Sequence, residues 1–203
     1  AVKSLGLHTL QLEGLGLNHG FVKNLGAFLM RNQKAISEAT VGLTRANPLL
    51  RAQMQAQGGD GSGGGYKSEF GERLLLGNNR IGDEGAKALC AILADGGKYN
   101  LKELDLSSNG LGHKGFSAVA MLARKLPVLE KLELGNNAAG DCGVRALCVA
   151  LQDHPKFTTL SLPHNSGLTE GVAGRALAHL AQLNPKLRQL VFRDKNLDAN
   201  GLA

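Results

Sequence analysis

Apolar and polar positions follow two patterns that succeed one another repeatedly along the chain. The first is L-x-x-L-x-L-x-x-N-x-L, found as LKELDLSSNGLG at 101–112, LEKLELGNNAAG at 129–140 and, with substitutions, FTTLSLPHNSGL at 157–168. Its alternation of apolar and polar residues predicts a short strand. The second pattern, such as ALCAIL from Ala88 and ALCVAL from Ala146, has apolar residues at helical spacing. It predicts a helix after each strand.

The two patterns together form one repeating unit of nearly constant length, marked by the strand leucines Leu74, Leu104, Leu132, Leu160 and Leu190. In three units the helical pattern begins at the same distance after the strand leucine, at Ala88, Ala118 and Ala146. At Ala176 it comes later, and Ser166 and Gly167 are interpreted as inserted. One strand and one helix cannot bury their apolar stripe alone, but stacked units can. The sequence therefore predicts an α/β solenoid with a parallel β-sheet on the concave side and α-helices on the convex side.

An asparagine stands where each of four predicted strands turns away, at Asn79, Asn109, Asn137 and Asn165. Its side-chain amide can satisfy backbone groups that the turn leaves unpaired, at about 1 kcal/mol per hydrogen bond. We interpret this column of asparagines as structural rather than as a binding site.

With these motifs, the sequence resembles leucine-rich repeats over residues 73–203. The unit length, as from Leu104 to Leu132, and the segment NRIGDEGAKALCAIL at 79–93 resemble the ribonuclease-inhibitor-like subfamily. That subfamily includes the Ran GTPase-activating protein and the repeat domains of NOD-like receptors. The resemblance implies a segment of a horseshoe-shaped solenoid. It implies little about activity, because most positions of the shared motif are residues of the hydrophobic core.

The first third of the chain fits the same template less fully. LHTLQLEGLGL at 7–17 matches the strand pattern, although Leu15 replaces the asparagine, and a helical pattern from Asn24 follows in register. We therefore expect a first repeat over 7–35. Residues 36–57 are expected to form either a degenerate repeat or an irregular segment.

The segment GGDGSGGGYKS at 58–68 is one residue away from a phosphate-binding loop, because Tyr66 stands where the second glycine belongs. A phosphate loop needs an apolar strand before it and a helix after it. Here the polar stretch QMQAQ precedes the glycines and the strand of the next repeat follows them. We therefore interpret 58–68 as a flexible insert without a nucleotide.

The repeats predict one domain over 1–203. The regular repeats cover 73–203, and the closing LDANGLA matches IGDEGAK at a helix start, so the last repeat is interpreted as truncated. We expect the chain to be part of a longer protein or of a multi-subunit assembly.

Alternation along the strands assigns one set of side chains to the concave face, with an acidic centre and arginines at both ends. The residues expected to bind a partner there are Arg73, Glu103, Asp105, Ser107, Lys131, Glu133, Thr159, Ser161, His164, Gln189 and Arg193. Concave repeat surfaces commonly engage proteins. A polar surface that serves only solubility is the alternative.

The charge of the chain, +6, changes this picture little. Residues 1–57 carry six Lys and Arg against two Asp and Glu, so the first third has a basic excess that could attract an acidic partner. With 4% aromatic residues and no interleaving of basic and aromatic positions, nucleic acid is not an expected partner. The apolar runs are too short for a membrane span, so a membrane is not an expected partner either.

The cysteines and histidines do not form a recognisable chemical site. The three cysteines show no C-x-x-C spacing, and two of them, Cys90 and Cys148, share a helix column of small residues. The six histidines include no ligand pair at helical spacing. We therefore expect no cofactor, metal or catalytic residue, and a reducing, intracellular compartment, either cytoplasmic or cytoskeletal.

These observations favour a non-enzymatic interaction module, a scaffold or a subunit of a larger assembly, with protein partners whose identity the sequence does not give. The resemblance to the Ran GTPase-activating protein raises a GTPase regulator as the alternative. A ligand-sensing repeat domain of a NOD-like receptor is a second alternative.

Overall fold

The computed structural model describes residues 9–22, 24–25, 72–95, 100–192 and 195–198. The strands are β1 (Thr9–Gln11), β2 (Arg73–Leu75), β3 (Glu103–Asp105), β4 (Lys131–Glu133), β5 (Thr159–Leu162), β6 (Gln189–Phe192) and β7 (Lys195–Asp198). The helices are α1 (Gly82–Asp95), α2 (His113–Ala123), α3 (Gly140–Leu151) and α4 (Glu170–Leu183). Residues 19–22 and 24–25 are helical as well.

All seven described strands form one sheet whose order follows the chain. Strands β1 to β6 pair in parallel, and the strand leucines Leu10, Leu74, Leu104, Leu132, Leu160 and Leu190 lie in one continuous register. A helix follows each of β2 to β5, and neighbouring helices contact one another. The predicted α/β solenoid is confirmed.

One core runs between the sheet and the helices. It is filled by residues in or directly after the strands, including Leu104, Leu106, Leu132, Leu134, Leu160 and Leu162, and by helix residues including Leu89, Val119, Leu147 and Leu177. Burial of such side chains stabilises the fold by about 25 cal/mol per Å² of apolar surface. Because every second strand residue enters this core, the intervening side chains point away from it.

Glycine near the start of three helices allows consecutive repeats to approach closely. A Cβ at Gly115 would lie 2.6 Å from Asp83 Oδ1, and a Cβ at Gly143 would lie 2.9 Å from Phe116 Cβ. At Gly85 the equivalent distance, to His19 Cα of the preceding repeat, is 3.3 Å. Any larger residue in this column would therefore push a helix start away from its neighbour.

Aspartates connect helix starts across repeats. Asp83 Oδ1, in the first turn of α1, accepts hydrogen bonds from the amides of Gly112 at 2.7 Å and Gly115 at 2.8 Å at the start of α2. Asp141 in α3 likewise accepts from the Thr169 amide at 2.9 Å and the Thr169 hydroxyl at 2.7 Å, just before α4. Each carboxylate satisfies donors that a helix leaves unpaired at its start.

The last described strand departs from the repeat. Residues 195–198 pair antiparallel with β6, whereas the repeat pattern predicts a turn and a helix start there. In the repeat register, Lys195 takes the position that the earlier units give to asparagine. We attribute the different course of the backbone to the loss of the side-chain amide that holds the other turns.

At the other end of the sheet, β1 lies directly beside β2, with Leu10 opposite Leu74. Residues 26–71, which separate these two strands in sequence, lie outside the described residues. The expectations for 36–57 and for the glycine-rich segment 58–68 therefore remain predictions.

Candidate functional site

The concave face consists of the side chains that point away from the core on β2 to β6, with the residues that follow the first four of these strands. Its described members are Arg73, Leu75, Gly77, Glu103, Asp105, Ser107, Lys131, Glu133, Gly135, Thr159, Ser161, Pro163, Gln189 and Val191. Parallel pairing without register shift places equivalent residues side by side, as in Arg73, Glu103 and Lys131. The face is therefore built from rows that cross the strands.

The first row is a chain of ion pairs centred on Glu103. Its carboxylate lies 2.5 Å from Arg73 Nε and 3.1 Å from Lys131 Nζ, and the same ammonium lies 3.1 Å from Glu133 Oε1. Partial burial alone would raise the pKa of Glu103, but hydrogen bonds from Arg73 and Lys131 outweigh it, and the pKa is lowered. Burial would likewise lower the pKa of Lys131, but hydrogen bonds to Glu133 and Glu103 raise it.

This arrangement leaves Glu103 with little capacity to bind a partner. Its side chain is 14% exposed, and both of its oxygens are bonded to cations of the same sheet. The acidic character predicted for the centre of the face therefore comes mainly from Asp105, since Glu133 is paired with Lys131.

Carboxylates converge above Gly77, where no side chain intervenes. A Cβ at Gly77 would lie 3.1 Å from Asp105 Oδ2, 3.1 Å from Glu13 Oε1 and 3.0 Å from Ser107 Oγ. Asp105 Oδ1 accepts hydrogen bonds from the Ser107 amide at 2.8 Å and hydroxyl at 2.7 Å, and Gln11 donates to Glu13 at 3.1 Å. Among the residues described, neither Asp105 nor Glu13 forms a salt bridge.

Sequence reasoning missed Glu13 as part of this face. The signal was available, because Glu13 stands three residues after Leu10, as Gly77 stands after Leu74. The register of β1 with β2 places the two positions in one row.

The C-terminal half of the face is neutral. Thr159 is half-buried and Gln189 is exposed, but Ser161 is only 8% exposed, so its hydroxyl offers little surface to a partner. His164 is exposed in the loop after β5, with a left-handed φ of 53°. Arg193 lies outside the described residues.

The asparagine column lies at the edge of this face and holds the turns. Asn137 donates through Nδ2 to the carbonyls of Leu106 and Leu134 at 3.0 Å, and its Oδ1 accepts from the amides of Asn109 and Leu111 at 3.0 Å. Asn79, Asn109 and Asn165 make the corresponding bonds to the preceding repeat. The residue before each of the four, at Asn78, Ser108, Asn136 and His164, has a φ between 51° and 54°.

Two of the three cysteine thiols are buried and therefore resist ionisation. Burial raises the pKa of the Cys90 and Cys148 thiols to about 12, whereas Cys142 is exposed. Within the ranges that the structure describes, no three His, Cys, Asp or Glu side chains are grouped so that they could hold a metal ion. None of the helices in that part of the chain combines the length and apolar character needed to cross a membrane.

Comparison with known families agrees with this geometry. A family model described as Leucine Rich repeat matches residues 72–90, which lead through β2 into α1, and residues 100–120, which lead through β3 into α2. These segments are leucine-rich repeats. The units built on β4 and β5 continue the register and the asparagine bonding of the matched ones. A search of curated proteins found no match.

Proposed function

We propose that this chain is a non-enzymatic protein–protein interaction module that binds its partner through the concave face. Leucine-rich repeat domains generally mediate protein–protein interaction. The observation that carries the proposal is the group of carboxylates above Gly77, where Asp105 and Glu13 approach one point without a described cation between them. A surface built only for solubility does not require acidic groups from two separate repeats to converge.

The chemistry of the face favours a basic segment as its partner. Arg73 and Lys131 are already paired with Glu103, so they compensate that carboxylate rather than Asp105 or Glu13. A lysine or arginine of the partner would supply the missing positive charge. Such complementarity mainly fixes orientation and accelerates association, so binding is expected to weaken as ionic strength rises.

Within this proposal, the module serves as a scaffold or as a subunit of a larger intracellular assembly, and its repeats belong to the ribonuclease-inhibitor-like subfamily. The nearly constant spacing of the strand leucines from Leu74 to Leu190 supports the subfamily assignment. The cysteine content without framework spacing supports a reducing compartment.

The test is affinity purification of the full-length protein from its source cells, with quantitative mass spectrometry and chemical cross-linking. We expect the double substitution Glu13→Lys and Asp105→Asn, which removes both carboxylates above Gly77, to reduce capture of the wild-type partners at least tenfold. Cross-links should join this face to basic segments of the partner. Glu103 is left intact, because lysine there would repel Arg73 and Lys131 and disturb the sheet.

The matched control is Asp153→Lys, which reverses an exposed carboxylate after α3, away from the face. Thermal unfolding followed by circular dichroism would verify that each variant folds. Equal capture by the wild type and the folded double variant would refute the assignment of the binding face.

A further inference from the structure

Apolar side chains are exposed on the opposite, convex side of the solenoid. Met121 on α2 is 65% exposed and Val149 on α3 is 54% exposed. The two residues occupy the same position in consecutive repeats, since each stands three residues after the first alanine of its helical motif. They therefore form a row that crosses neighbouring helices.

Two grooves lie on either side of Val149, each between two neighbouring helices. The groove between α2 and α3 has a volume of about 480 Å³ and is lined by Met121, Val149 and the small residues Ala120, Ala146 and Ala150. The groove between α3 and α4, of about 470 Å³, is lined by Val149, Val172, Ala176 and Leu180. Because Val149 borders both, the grooves form one apolar surface.

Arginines flank both grooves. Arg124 and Arg145 line the first groove, and Arg145 and Arg175 line the second. Arg124 donates to the carbonyl of Val149 at 3.4 Å, and none of the three arginines pairs with a carboxylate within the described residues.

The helices that border the first groove leave its arginines without an acidic counterpart. α2 contains no acidic residue, and Asp141 of α3 accepts hydrogen bonds from Thr169 at the start of the following repeat. The grooves are therefore apolar at their floor and positively charged at their rims.

We propose that this convex surface binds an acidic amphipathic helix of a partner protein. Helices of 11 and 12 residues border the first groove, which gives it a length of about 17 Å at 1.5 Å per residue, or three helical turns. A helix with apolar residues at i, i+3 or i+4, and i+7 can place them against Met121 and Val149. Carboxylates on its flanks then reach the guanidinium groups, whose planar donors match a carboxylate in bidentate geometry.

A protein helix fits these features better than an anionic lipid surface does. The small residues Ala120, Ala146 and Ala150 line the first groove, which can therefore receive a ridge of side chains. A lipid surface would be met by an apolar stripe that protrudes. The site also lies on the side opposite the concave face, so it is independent of the function proposed above.

The test begins with a displayed library of 18-residue helical peptides, selected for binding to the full chain. We expect the selected peptides to combine a three- to four-residue apolar spacing with net negative charge. Their affinity, measured by fluorescence anisotropy, should fall at least tenfold for Arg145→Glu with Arg175→Glu. Val149→Arg, which fills the groove without reversing a rim charge, should cause a similar loss.

Two controls separate the possible outcomes. Lys156→Glu reverses an exposed charge outside the grooves, and Glu13→Lys alters only the concave face, so both should bind the selected peptides as the wild type does. The proposal would be overturned if no peptide were selected, if the peptides lacked acidic residues, or if the groove variants bound unchanged. Binding to phosphatidylserine vesicles that the groove variants abolish, without peptide binding, would instead show a lipid site.

Discussion

At the scale of single residues, polar side chains inside the solenoid act as connectors between repeats. Asn137 is 7% exposed and bonds to backbone groups of two consecutive repeats. His154 is similarly buried, and its ring hydrogen-bonds to the Leu126 carbonyl at 3.0 Å and accepts from the Lys156 amide at 3.4 Å. In the next repeat Asn184 does the same, to Leu151 and Lys186. These bonds require a neutral imidazole at His154, with Nε2 as donor and Nδ1 as acceptor.

His154 is expected to make the protein sensitive to acid. Burial lowers the pKa of His154 below its ordinary value of about 6.5, although backbone carbonyls partly oppose this. The unfolded chain therefore binds a proton first, and stability that is present above about pH 6.5 is lost as the pH falls towards the lowered pKa. His154→Asn should preserve the hydrogen bonds, as Asn184 does, and flatten the dependence of the unfolding free energy between pH 7 and 5.

Urea unfolding at several pH values would measure this effect. At pH 7 the variant should lie within about 1 kcal/mol of the wild type. His164→Asn is the matched control, because that histidine is exposed in a left-handed turn that asparagine tolerates well. If His154→Asn kept the full pH dependence, another group would have to be responsible.

At the scale of elements, each helix start depends on the repeat before it. The position of Asp83 in the repeat is occupied by His19, His113 and Asp141 in three of the other units. Only the aspartates accept hydrogen bonds from the next helix start among the described residues. The start of α3, next to His113, lacks such a carboxylate, although Gly143 packs with its Cβ position 3.4 Å from the His113 Cα.

His113→Asp is therefore expected to stabilise the protein. The carboxylate would face the start of α3, as Asp83 faces the start of α2. This position favours negative charge, and we expect a gain of about 0.5 kcal/mol. Thermal and urea unfolding would measure it. His113→Asn, which lacks the charge, should gain less, and an unchanged or lowered stability of the aspartate variant would contradict this account.

The sequence predicts most of these elements because the repeat combines two strong periodicities with a nearly fixed length. The strand leucines and the asparagine column follow directly from it. The antiparallel pairing of 195–198 could not be predicted in this way. The apolar pattern continues through Leu187, Leu190 and Phe192, and only Lys195, in place of the asparagine, departs from the repeat. At the candidate site, alternation identifies which residues face outward. It does not show that Glu103 is neutralised, because that depends on how long side chains meet across strands.

At the scale of the whole molecule, the solenoid is held together by nearest neighbours. Among the described elements, helix–helix contacts join only adjacent repeats, and each strand pairs only with adjacent strands. Stability in such an array is approximately the sum of repeat and interface terms. A destabilised repeat in the middle can therefore allow the repeats on its two sides to unfold separately.

Leu132→Ala tests this coupling. Leu132 is fully buried in β4, at the centre of the described sheet, and its truncation should cost about 2–5 kcal/mol. We expect the urea transition to lose cooperativity, with a lower m-value or two steps, because the repeats on either side unfold separately. Leu183→Ala, at a leucine that is 42% exposed, should leave the transition shape unchanged. A single transition of unchanged slope in the Leu132 variant would show that coupling extends beyond neighbours.

The hydrogen bonds that the asparagine column makes between repeats all run in one direction along the chain, although the repeats are similar. Asn79 bonds back to Leu12 and Leu17, Asn109 to Leu76, and Asn165 to Leu134, so every one of these turns is secured by the repeat that follows it in the chain. Removing a repeat from the N-terminal side takes away a turn and leaves the asparagine that secured it, which still bonds to carbonyls of its own repeat, as Asn79 does to Leu76 and Gly77. Removing one from the C-terminal side leaves the preceding turn with exposed backbone groups and no side chain to bind them. Fraying should therefore advance more readily from the C-terminal side, which gives the unfolding of the solenoid a polarity.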